Sequence, residues 1–175
     1  MPGDDPLSPT TGYRWVSWRE QPGNPASPFV PAGTKVRMQM TRHPALMDAR
    51  NMTTGDVIRY DDGSAAQDIS IVGKIEGGQY DGEERQFRGR KLSTVKNPES
   101  LFAALVKAQA VFLKENNRRP RPGDYLTVLL KGMREVKGQP AGSFIAKFEL
   151  GTLPEPEIAA LDMADETSAE VEFTL

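Results

Sequence analysis

Glu83-Glu84-Arg85-Gln86-Phe87-Arg88-Gly89-Arg90-Lys91-Leu92 leads into Asn97-Pro98-Glu99, a long apolar-periodic run and finally Asp124-Tyr125-Leu126-Thr127-Val128-Leu129-Leu130. This stretch reads as strand, helix, strand. Asn97 suits a helix cap, Pro98 the first helical position and Glu99 the positive end of the helix dipole. Leu101, Leu105, Ala108 and Phe112 then recur at helical spacing, with Phe102, Val106, Gln109 and Leu113 as the adjoining row. Asn116-Asn117 end the run before the basic loop Arg118-Arg119-Pro120-Arg121-Pro122-Gly123. A single well-marked helix set between strands constrains the rest of the chain.

Working outward, Gly77-Gly78-Gln79-Tyr80-Asp81-Gly82 predicts a hairpin between the basic strand and Gln67–Ile75. In the latter, Ile69, Ile71, Gly73 and Ile75 share a face. No Gly-Lys-Ser/Thr follows the glycines, so they are not a nucleotide-binding loop. Upstream, Val57–Tyr60 enters the turn Asp61-Asp62-Gly63-Ser64. Two adjacent carboxylates without a third ligand point to a solvated turn rather than a metal site. Residues 43–56 read as a loop. Gly33–Arg42 alternates, with Val36, Met38 and Met40 on one face and Lys35, Arg37 and Gln39 on a basic outer face. Beyond the second half of the helical motif, 131–141 reads as a loop and Ser143–Leu150 as the last strand, with Phe144, Ala146, Phe148 and Leu150 on one side.

The ends differ from this middle. Residues 1–31 hold seven of the 14 prolines and both tryptophans, Trp15 and Trp18. Proline removes backbone donors, so an extended N-terminal arm is expected. Its Tyr13–Arg19 segment is either an edge strand packing aromatics on the domain or a flexible arm offering stacking and charge. Eight of the 24 acids lie from Glu149 onward, where no Lys or Arg occurs. That leaves 16 acids against all 22 basic residues, so residues 1–147 carry +6. A basic body with an acidic tail follows, divided as arm 1–31, domain 32–151 and disordered tail 152–175.

Composition narrows the chemistry. The chain has no Cys, which excludes disulfides and thiolate sites, and its single His43 cannot form a two-histidine mechanism or zinc cluster. No constellation of nucleophile, base and orienter is visible, so an enzyme is not expected, and neither is a cofactor or metal. No apolar run suits a membrane span or signal peptide, and a cytosolic protein is the default.

Five strands, at about 33–42, 57–75 (continuous, bent or interrupted), 83–92, 124–131 and 142–150, with a helix between the third and fourth, predict a mainly β five-stranded Greek-key barrel, the OB-fold. The second and third strands form its oligonucleotide face. Here they carry the densest mixture of cations and rings. Arg59, Lys74, Arg85, Arg88, Arg90, Lys91, Arg118, Arg119 and Arg121 are the candidate phosphate contacts, and Tyr60, Tyr80 and Phe87 the candidate stacking rings. Phe87 equally suits a core position.

The segments Tyr60-Asp61-Asp62-Gly63-Ser64, Ile69-Ser70-Ile71-Val72, Phe87-Arg88-Gly89-Arg90 and Gly123-Asp124-Tyr125-Leu126-Thr127-Val128 carry a further likeness. Over residues 33–150 the chain resembles a family of single-stranded DNA-binding proteins of actinobacterial phages. The resemblance implies sequence-tolerant single-strand binding on an OB-fold in replication or recombination, without catalysis, in the host cytoplasm. The tail is similar in charge to the acidic tails by which bacterial single-stranded DNA-binding proteins recruit replication partners. Asp165, Glu166, Glu170, Glu172 and Phe173 are the corresponding partner-binding candidates, although the terminal Pro-Phe of those tails is missing here. Self-association is compatible with the sequence. The alternative expectation is an OB-like interaction or assembly module that binds no nucleic acid.

Overall fold

The computed structural model describes residues 13–21, 24, 26–51 and 53–151. Their elements, in chain order, are β1 (Lys35–Met40), β2 (Ala45–Asp48), β3 (Gln67–Glu76), β4 (Glu84–Arg90), α1 (Leu101–Asn116), β5 (Tyr125–Val136) and β6 (Gln139–Glu149). Among the described residues the protein is mainly β, one six-stranded antiparallel sheet with a single α-helix. β1 and β2 both lie along one edge of β3, pairing with its second and first halves (Met38 with Ile75, Leu46 with Ile69). β4 takes the other edge of β3, β5 pairs with β1, and β6 with β5.

The span 57–75 is interrupted, one of the forms expected of it: before β3 come the isolated bridges Arg50–Val57 and Arg59–Ala65, the second enclosing the Asp61–Gly63 turn. Two loop expectations need correcting. The span 43–56 is not all loop, because Ala45–Asp48 forms β2. Residues 131–141 are not loop either. β5 and β6 continue as a two-stranded ribbon to the Lys137-Gly138 turn, past a register shift between Leu130 and Gly132. Gly73 marks where β1 crosses β3 most closely: a Cβ there would lie 2.5 Å from the Gln39 carbonyl oxygen.

The helix begins later than its sequence signal. Ser100, not Asn97, is the cap, its hydroxyl accepting from the Ala103 N–H at 3.1 Å. Asn97 and Pro98 belong to a preceding turn whose carbonyls are already engaged: Ser100 donates to Asn97 O at 3.3 Å, and Phe144 of β6 donates to Glu99 O at 3.0 Å. Docking of this turn on β6 outweighs the proline preference. At the far end Asn117 adopts a left-handed φ of 56° and closes the helix as expected.

Leu101, Phe102, Leu105, Ala108 and Phe112 of α1 enter a core with Met38, Met40, Ile69, Ile71, Ile75, Phe87, Leu126, Val128 and Phe148. Each such side chain contributes about 1.5–3 kcal/mol of burial. Leu113 of the second helical row stays exposed, so the buried stripe is narrower than both rows together.

The sheet is not closed, since β4 and β6 do not pair. The N-terminal segment spans the interval instead. Val16 donates to Gln86 O and Gln86 to Arg14 O, each at 2.8 Å, so this segment runs beside β4 in parallel. Trp18 then stacks on Phe87 of β4 (centroids 6.1 Å) and meets Phe144 of β6 edge-on (5.1 Å). Over these residues the aromatics pack on the domain as one of the two expectations had it, but through an isolated bridge and not a strand. The burial of Val16 and the indole contacts outweigh the entropy of a free segment.

Candidate nucleic-acid interface

β3 and β4 register Asp68 with Arg90, Ser70 with Arg88, Val72 with Gln86 and Lys74 with Glu84, so these side chains share one face. Asp68 holds two of the expected phosphate contacts: Arg88 Nε lies 2.9 Å from one carboxylate oxygen and Arg90 Nε 2.9 Å from the other. The Arg88 side chain is only 4% exposed and its guanidinium lies 4.9 Å from the Trp15 ring centroid. Arg88 is therefore a structural cation under the N-terminal segment. Arg90, with a 37% exposed side chain, still faces solvent.

Tyr80, Arg85 and Phe87 are corrected outright as surface contacts, because all three are buried. The short 3₁₀ turn Gly78–Tyr80 swings the tyrosine inward, and the Arg85 guanidinium sits 4.2 Å from its ring centroid. Arg85 also donates to Trp15 O at 3.1 Å and pairs with Glu83 at 2.7 Å. Phe87 is a core ring with no exposure.

The loop after α1 is organised by Asp124. Its carboxylate, 3% exposed, accepts from Arg118 Nη1 at 2.7 Å and Nη2 at 2.9 Å, and from the backbone N–H groups of Arg121 and Gly151, both at 2.9 Å. The Arg118 guanidinium also lies 5.3 Å from the Phe112 ring centroid. Arg118 is thus committed to holding the loop, and Arg119 and Arg121 are half-buried on it. The loop docks on β1 through Gly123 N–H to Met40 O at 2.8 Å, away from the β3–β4 end where Arg90 lies.

What the fold does bring together is a group at the entry to β3 and exit from β4. Tyr60, Ala65, Gln67, Lys91, Leu92 and Ser93 line an open groove of about 500 Å³. The Tyr60 ring is 47% exposed. Its turn is tied locally: Tyr60 donates to Ser64 O and Gly63 to Tyr60 O, both at 2.9 Å, while Arg59 donates to Gly63 O at 3.1 Å. Asp62 accepts from the Ser64 N–H at 2.8 Å and hydroxyl at 2.5 Å, and these bonds hold its carboxyl below the usual carboxylate range. Lys91 N–H donates to Gln67 O at 2.8 Å and fixes the opposite wall. Lys74 is exposed further along β3.

The expected arrangement therefore divides. Arg59, Tyr60, Arg90 and Lys91 lie near one end of the β3–β4 hairpin. Asp165, Glu166, Glu170, Glu172 and Phe173 lie outside the described residues. Trp15 is the residue that sequence reasoning did not place at the site: it decides that Arg85 and Arg88 face protein. The density of rings and arginines in Tyr13–Arg19 was its only sequence signal. Comparison with known proteins adds nothing to this geometry: no family model, no curated protein and no solved structure matches the chain.

Arg88→Ala provides a test of the structural assignment. It is expected to lower stability by about 2 kcal/mol, the range for a hydrogen bond to a charged group, with Arg90 retaining part of the Asp68 interaction. Chemical denaturation checks this, and an unchanged midpoint would return Arg88 to the surface cations.

Proposed function

We propose that this protein is a non-enzymatic, sequence-tolerant single-stranded DNA-binding protein on an OB-type fold. The observation that carries the reading is the exposed Tyr60 ring beside Lys91 on an open groove, with Arg59 and Arg90 nearby. A base has a π-face whatever its identity, so one tyrosine can stack it without reading sequence, while Lys and Arg neutralise the adjoining phosphates.

Topology supports the same reading. Counted as one bent strand along β3, β1 and β2 reduce the sheet to five strands, with α1 between the third and fourth and the first strand paired to the second and fourth. In that count Tyr60 lies on the connection between strands one and two, and Lys91 directly follows strand three. The connection between strands one and two is a position from which OB-folds contact oligonucleotides, and Lys91 adjoins the end of strand three, whose face is another. Equilibrium binding to a polythymidine strand across a salt series tests the proposal: binding that weakens with salt supports it, and absence of binding at low salt favours an interaction module instead.

In this reading the acidic tail competes with DNA for the basic body. Gly151, the residue before this segment, is tied to the buried Asp124, which also holds the Arg118–Arg121 loop. The tail's seven acids, with no Lys or Arg after Lys147, are tethered there at high effective concentration. Deleting residues 152–175 while keeping Gly151 is expected to leave the melting temperature unchanged. DNA binding should tighten at low salt and converge with the full chain at high salt. Constant affinity would leave recruitment of a replication partner as the tail's role, and weaker binding by a folded truncation would contradict both roles.

A further inference from the structure

A second surface lies at the other end of β3. β1, β5 and β6 turn Lys35, Arg37, Thr127, Leu129, Ile145 and Lys147 to the face opposite the core, where they line an open groove of about 500 Å³. The Arg37 guanidinium lies 4.2 Å from the Tyr125 ring centroid, and its Nε is 3.6 Å from a Glu76 carboxylate oxygen, an ion pair without a hydrogen bond. Its side chain is nevertheless 42% exposed. The ring thus supports one face of a flat cation while leaving the group accessible to solvent. Ile145, 49% exposed, and Leu129, its registered partner, form an apolar floor. Lys35 and Lys147 stand exposed at its rims, and Lys74 lies two positions along β3 from Glu76, the registered partner of Arg37.

We propose that this groove is a second contact for single-stranded DNA, continuous with the Tyr60 groove on a longer strand. Guanidinium planes stack nucleobases much as aromatic rings do, and a plane backed by Tyr125 is held ready for that contact. The lysines at the rims suit phosphates on either side, and the apolar floor suits a base or sugar edge. Glu76 and Glu149 also line the groove. They limit its net charge, so stacking rather than bulk electrostatics carries this contact. The inference rests on the single-strand reading and adds where the strand runs. From Gln67 to Glu76 the two grooves are separated by roughly 30 Å of strand β3.

That separation supplies the test. Arg37→Ala with Lys147→Glu is compared with the parent chain on polythymidine strands of about 4 and about 16 nucleotides, the limits of OB-type site sizes. Lys147 faces solvent and the Arg37 side chain is 42% exposed, so the melting temperature should hold; Arg37→Lys with Lys147→Glu, which keeps a cation beside Glu76 but removes the flat plane, is the second variant should removal of the Arg37–Glu76 pair disturb the sheet. The expected result is unchanged affinity for the short strand and about tenfold weaker binding of the long one. Equal affinities of variant and parent on both strands, while Tyr60→Ala weakens both, would overturn the second contact and leave the first standing. An equal loss on both lengths would overturn it as well. A parent chain that binds neither strand would refute the single-strand reading itself.

Discussion

Asp124→Ala is expected to cost about 3–5 kcal/mol of folding stability, the range for removing one partner from a buried ion pair. The carboxylate gathers four donors from three residues in two parts of the chain: both terminal nitrogens of Arg118, the Arg121 N–H and the Gly151 N–H. In the variant the Arg118 guanidinium stays beside Phe112 but has no bidentate acceptor, and two backbone donors are deprived of theirs. Gly151 itself packs against the Gly123 carbonyl too closely to admit a Cβ, so the Asp124 end of the loop and the exit of β6 are held in close contact. The denaturation midpoint should fall with the m-value preserved, as for a loss of stability rather than a change of unfolding mechanism. Asp124→Asn, which keeps one acceptor oxygen but no charge, should lose less. A loss below about 1 kcal/mol in the alanine variant would mean that the loop is held by its β1 contacts alone.

Tyr60→Ala combined with Lys91→Glu carries the largest expected effect on binding. Removal of a stacking ring costs about 1–3 kcal/mol per base, and reversing the lysine adds repulsion at the adjoining phosphate. Together they should weaken polythymidine binding by at least tenfold at low salt. The log–log salt slope should become shallower by about 0.7 for each phosphate that is no longer neutralised. Stability should change little: the ring is half exposed, and the turn is closed by backbone bonds and by Asp62 with Ser64. A large fall in melting temperature with affinity retained would instead make Tyr60 a packing residue.

The elements legible in the sequence were those whose patterns are local. α1 shows its period from Leu101 to Phe112, the β3–β4 hairpin is written by the glycines between Ile75 and Glu83, and β5 by its run of apolar residues. β2 was not legible, because Ala45–Asp48 is four residues long and becomes a strand only through the edge that β3 offers. The same applies to the β5–β6 ribbon, whose Lys131–Gly142 sequence resembles a loop but is paired across the strands.

The candidate site was readable as composition and unreadable as geometry. A cluster of Arg85, Arg88, Arg90 and Lys91 looks uniform in one dimension. The fold separates it, because Asp68 and Trp15 claim Arg88, while Tyr80, Glu83 and the Trp15 carbonyl claim Arg85. The Trp15 carbonyl is 70 residues from Arg85 along the chain, and charge patterning carries no information about so distant a partner. Arg37 was visible as an outward position on an alternating strand, whereas Tyr125 stood in a run too apolar to show which way it faces. Only the β1–β5 register, which places Gln39 opposite Tyr125 and Arg37 opposite Thr127, brings the guanidinium over the ring.

The central claim is that a single strand stacks on Tyr60 beside Lys91. It is tested most directly by titrating fluorescent polythymidine with the parent chain and with Tyr60→Ala across a range of salt. The account predicts that the parent binds, that its affinity falls linearly on a log–log salt plot, and that the variant is weaker by a nearly constant factor with the same slope, since a ring and not a charge has been removed. Coincident curves for the two proteins, or no binding by either at low salt, would contradict it.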